Sequence, residues 1–104
     1  MKKIEYLRYL KLILSTTPKE RKLLIARSSD DFIKFISQSA LNILRGNINL
    51  TSPLFKKLRK KRGDLRILSD TKRGLRSKRK YLVQHGGLLP LLAPILGAIF
   101  GLGS

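Results

Sequence analysis

Apolar residues recur at helical spacing through the first half of the chain. Ile4, Leu7, Leu10 and Leu14 step by threes and fours, which predicts one helical face over residues 3–14. "STTPKE" marks a restart. Thr17 can cap, Pro18 suits a first helical position, and Glu20 completes a capping box three residues on. A short helix over 18–27 follows, carrying Leu23, Leu24 and Ile25. "SSDD" opens the next one. Ser28 and Asp31 have capping-box spacing, and two Asp favour a helix N-terminus.

The strongest pattern lies over 29–45. Phe32, Ile36, Ala40, Ile43 and Leu44 form one stripe, with Ile33 beside it. Arg45 falls in the last turn and Gly46 is placed as a C-terminal cap. "NINLTSP" reads as a connector to a helix over 53–62, with Leu54, Phe55 and Leu58 as its apolar side and Gly63 as its stop. Leu65, Ile67 and Leu68 predict one more short turn or helix. Ser69, Asp70 and Gly74 mark a loosened stretch before a basic helix near 75–83. No alternation is long enough for a sheet, so the expected class is all-α: a small bundle of short helices.

The apolar pattern changes at the end. From Leu88 to Leu102 the chain carries no charge, with Pro90 and Pro94 placed to bend or break a helix. Even fully helical, residues 88–104 would reach only about 25 Å, less than the roughly 30 Å of a bilayer core. The tail therefore suits an interfacial or partner-buried segment through Leu88, Leu89, Leu91, Leu92, Ile95, Leu96, Ile99 and Phe100, or a fold-back onto the bundle. Gly86 and Gly87 form a hinge or an extended cut site before it. At the other end, "MKKIEYLRYLKLIL" begins like a secretory signal. Glu5, Arg8 and Lys11 interrupt it, which favours an amphipathic first helix.

Charge divides these elements into three zones. Residues 1–55 hold ten basic and four acidic residues, residues 56–80 thirteen and two, and residues 81–104 neither. The expected domains are a helical bundle over 1–55, a basic nucleic-acid-binding arm over 56–85, and a Gly-Gly hinge with apolar tail over 86–104. A formal net charge of +17 over 104 residues favours polyanionic partners. The candidate phosphate contacts are Lys56, Lys57, Arg59, Lys60, Lys61, Arg62, Arg66, Lys72, Arg73, Arg76, Lys78, Arg79 and Lys80. A solvated face or a nuclear-import signal is the plainer reading, but a solvated face normally mixes signs and this one hardly does. Six cations within 56–62 spread around a helix, which suits contact with a phosphate backbone better than groove reading. Only Phe55 and Tyr81 flank the zone, so base stacking has little material.

Other chemistry is sparse. The chain has no Cys and one His, His85 in a Gly-flanked linker, so neither a Cys-based metal site, a cofactor site nor an enzyme is expected. "RGD" at 62–64 reads as a Gly cap followed by Asp.

"GGLLPLLAPILGAIFG" behind a basic zone resembles the C-terminal part of the adenovirus core protein X precursors. The layout, with "ALNILRGNINLT" (40–51) and "KRKYLVQHGG" (78–87), resembles the small basic proteins of Polinton/Maverick elements and adintoviruses. The resemblance implies a virion-core protein that condenses double-stranded DNA, located in the virion core or host nucleus, with capsid or other virion proteins as partners. It also implies processing by a viral cysteine protease after Gly87, across Gln84, His85, Gly86 and Gly87. The first of these is more often Met, Ile or Leu in that family. Two further readings stand beside it: a membrane-active basic peptide precursor, in which the basic zone draws anionic lipid and the tail inserts, and a helical scaffold.

Overall fold

In the computed structural model, which describes residues 2–99, the chain is all-α. Its helices are α1 (Lys2–Ser15), α2 (Pro18–Ala26), α3 (Asp30–Leu44), α4 (Ser52–Lys60), α5 (Arg62–Ser69), α6 (Leu75–Gln84) and α7 (Leu89–Ile99), with a 3-10 turn at Gly86–Leu88. No strand occurs among the described residues.

Local chemistry explains most boundaries. Thr17 Oγ1 accepts the Glu20 N–H at 3.3 Å, and Pro18 opens α2 as its spacing predicts. At α3 the cap is Ser29, which accepts the Phe32 N–H at 3.1 Å, and not Ser28. Ser28 is buried and donates back to the Ile25 carbonyl at 2.6 Å, closing α2. The helix ends as expected. Gly46 takes a φ of +70°, its N–H bonds Ile43 O, and the Asn47 N–H reaches Asn42 O at 3.0 Å, which is a Schellman closure. Gly63 is not a stop: it lies in the first turn of α5, beside Asp64. The stop falls earlier, where Lys61 separates α4 from α5.

α3 is the centre of the packing. It lies most extensively on α5 and also against α6 and α1, while α2 packs on α6 and α7 packs on α1 and α4. Its buried stripe is Phe32, Ile33, Phe35, Ile36 and Ala40, with Ile43 and Leu44 half-buried. From α1 come Leu7, Leu10 and Ile13, with Ile4 and Leu14 less covered than their spacing suggests. Tyr9 sits edge-on to Phe32, centroids 4.9 Å apart, and donates its hydroxyl to Leu24 O at 2.5 Å, joining α1, α2 and α3.

The apolar tail closes this core. Leu88, Leu89, Leu92, Ile95 and Leu96 are buried in the same cluster as the α1 and α3 side chains, and Leu91 is half-buried. Of the expected docking residues, Ile99 and Phe100 have side chains outside the described set; the others pack inward and offer no exposed docking face. The helix also runs through Pro94 to Ile99. Pro90 lies in the first turn, where its missing N–H costs nothing, whereas Pro94 removes one bond at about 3 kcal/mol. Five buried apolar side chains at about 1.5–3 kcal/mol each outweigh that. One core thus runs through all three charge zones. The Cα radius of gyration is 12.7 Å, the value of a folded domain of about 100 residues. The basic stretch shares that core through Leu58, Leu65, Leu68 and Leu82.

Candidate nucleic-acid interface

The basic zone folds into α4, α5 and α6, and each helix sets its cations by burying the opposite side. On α4, Leu58 is buried and Leu54 half-buried, which turns Lys56, Lys57, Arg59 and Lys60 outward. On α5, Leu65 and Leu68 face the core, and Arg62 and Arg66 are exposed one turn apart. On α6, Leu82 is fully buried, while Arg76 and Lys80 form an exposed pair four residues apart. Residues at that spacing are neighbours on a helix surface, so each helix presents close like charges. Lys72 and Arg73 extend the set from the α5–α6 turn, which is shaped by the Lys72 N–H donating to Asp70 Oδ1 at 2.9 Å.

Three of the thirteen predicted residues stand apart. Arg79 is half-buried and paired with Asp30 at 2.5 Å, with its Nε buried and unpartnered. Lys61 is half-buried against the Gly-Gly turn, where a Cβ on Gly87 would meet its Nζ at 3.2 Å. Lys78 is only 4 % exposed, and its Nζ donates to Ser37 Oγ at 2.7 Å. Burial pushes the Lys78 ammonium pKa down, Asp70 pulls it back up, and Arg73 adds to the lowering. These three belong to the packing, and ten cations remain fully outward.

The acids are held down within the same surface. Asp64, in the first turn of α5, accepts the Tyr81 hydroxyl from α6. Burial, with that hydrogen bond and the Asp64 charge, pushes the Tyr81 hydroxyl pKa up to about 12. Tyr81 also lies 4.6 Å from the His85 ring, so neither ring is an open stacking platform. Phe55 is the exception at 55 % exposure; it is not the core residue its spacing predicts. It lines an open groove of about 380 Å³ with Ile43, Leu44 and Leu50, rimmed by Arg59 and Arg62.

At the predicted cut site Gln84 ends α6, His85 and Gly87 are exposed, and Gly86 is half-buried in the 3-10 turn. The backbone there is coiled, not extended. No described helix is long and apolar enough to cross a membrane, and no three His, Asp or Glu side chains among the described residues gather as a metal group. Two cations outside the basic zone join it in space: Lys3 and Lys34 line an open cleft with Arg73 and Lys78. Only tertiary packing brings them there, since Lys34 and Lys78 lie far apart in the chain. Against protein-family models, curated proteins and solved structures, the chain has no match.

Proposed function

We propose that the chain binds double-stranded DNA through its phosphates, without reading base sequence, and condenses it. The observation that carries this reading is the set of ten outward cations on α4, the α5–α6 turn and the outer faces of α5 and α6. None of the ten pairs with a carboxylate side chain among the described residues. Such charges are spread over several faces rather than along one groove-sized helix, which favours a surface that DNA wraps or bridges. The resemblance to virion-core proteins supports a packaging role in the virion core or nucleus, with capsid or other virion proteins nearby. The burial of Leu88, Leu89, Leu92, Ile95 and Leu96 supports reading the tail as part of the fold rather than as an inserting segment.

A salt titration against two duplexes of unrelated sequence tests the reading. If about eight cations meet phosphates, log K falls with log salt at a slope near −7 for both duplexes. Replacing Lys56, Lys60, Arg62 and Arg66 by Gln is expected to flatten the slope by about 0.9 per cation engaged. A flat slope, or tight binding to only one duplex, overturns the proposal.

A further inference from the structure

The open cleft beside the basic surface has features the diffuse charge does not explain. It holds about 640 Å³ between α1, α3 and the start of α6. Lys34 from α3 and Arg73 and Lys78 from the α5–α6 segment line it, with Lys3 at the α1 side, against a single carboxylate, Asp31. Lys78 is the decisive residue. Only 4 % of Lys78 as a residue is exposed, and a cation on so covered a side chain normally sits against a carboxylate. Its bonded partner is the neutral Ser37 hydroxyl, which also lines the cleft, and no carboxylate lies within ion-pair distance among the described residues. Asp70, nearest in its electrostatic influence, is engaged by the Lys72 N–H.

A second observation points to the same sign of ligand. α6 begins at the cleft with Gly74 as its N-cap, and no side chain caps its first-turn N–H groups. Those donors, carried by a helix of ten residues, present a partial positive charge of the same sign as the lysines. Lys34, Arg73, Lys78 and an open helix start line one cleft and give it a net positive charge that suits an anion.

We propose that this cleft is a discrete binding site for one phosphate dianion or phosphomonoester group, held by Lys78, Arg73, Lys34 and the first-turn N–H groups of α6. Several converging cations against one carboxylate match a doubly charged group better than the singly charged diesters along a DNA backbone. The source is either a free small phosphate or the 5′-phosphate at a DNA end. The site stands on its own geometry and does not require the nonspecific DNA binding proposed above.

Calorimetric titration of the full-length chain with inorganic phosphate, at constant ionic strength and neutral pH, tests it. The expected result is saturable binding of one phosphate per chain. Lys78→Met and Arg73→Gln should each weaken it about tenfold or more, the loss expected when a hydrogen bond to a charged group is removed. Arg73 is exposed, so its variant keeps the fold if Lys78→Met does not. Lys22→Gln, exposed on α2 and outside the basic zone, should leave phosphate binding unchanged. Duplexes with and without a 5′-phosphate identify the source: a preference for the phosphorylated end that vanishes in Arg73→Gln assigns the DNA end, and equal binding assigns the free anion. Unsaturable phosphate binding, or equal loss in Lys22→Gln and Arg73→Gln, overturns the site. Neither outcome touches the salt slope on DNA, so the two proposals fail separately.

Discussion

Tyr81 shows how a single side chain sets the pH response of this surface. Its half-buried hydroxyl donates to Asp64, and both burial and bond hold the proton on in the folded chain. The pKa rises from 10.0 to about 12, so the folded state binds more protons than the unfolded one between those values. The stability from this group is complete below pH 10 and is lost as the pH climbs towards 12. Tyr9, whose pKa burial also raises, acts in the same direction. Lys78 acts oppositely: its lowered pKa makes the folded chain shed a proton first, so its contribution grows as pH rises towards its ordinary 10.5. Urea unfolding across this range should show net stability falling above pH 10. In Tyr81→Phe the fall should be shallower, with lower stability below pH 10, where Asp64 has lost its donor. An unchanged slope in the variant would remove Tyr81 as the cause.

At the scale of elements, α7 decides whether there is a core at all. It and the turn before it contribute Leu88, Leu89, Leu92, Ile95 and Leu96, each worth about 1.5–3 kcal/mol when buried, against a typical domain stability of about 5–15 kcal/mol. A chain ending at Gly87 is therefore expected to lose cooperative unfolding, followed by circular dichroism against temperature. A truncated chain with the full-length midpoint would show the tail to be dispensable. The same packing holds Gln84–Gly87 as a helix end and a 3-10 turn, so a protease that reads an extended strand would cut there only after local unfolding. What the sequence made legible follows from this. Caps and turns are local, so the start of α2 and the Gly46 stop can be read directly, while α4 starts one residue earlier than expected, at Ser52 after Thr51. The start of α3 was off by one because Ser28 and Ser29 both have cap chemistry. The destination of the tail was not local. An uncharged run reads alike whether it meets lipid, a partner or its own α1. Lys78 looked like its twelve basic neighbours because Ser37 and the cleft wall come from a distant helix.

For the whole molecule, charge and core oppose each other. A +17 chain repels itself, yet its helices fold so that the outward cations point away from one shared interior. The order in which that interior assembles follows from one arrangement, the packing of α7 on α1. This pairing spans almost the entire chain, whereas α1 with α2 and α4 with α5 are joined by short connections. Closing a long loop costs more entropy than closing a short one, so the local helix pairs should form early and the α1–α7 seam late. Mutations in a late-forming contact mainly quicken unfolding. Stopped-flow chevrons should show Leu92→Ala, about 2–5 kcal/mol less stable, with a steeply raised unfolding rate and a nearly unchanged folding rate. Matching slowing of folding would instead put the seam in the nucleus. With a late seam, the lifetime of the free folded chain is governed by its uncharged end.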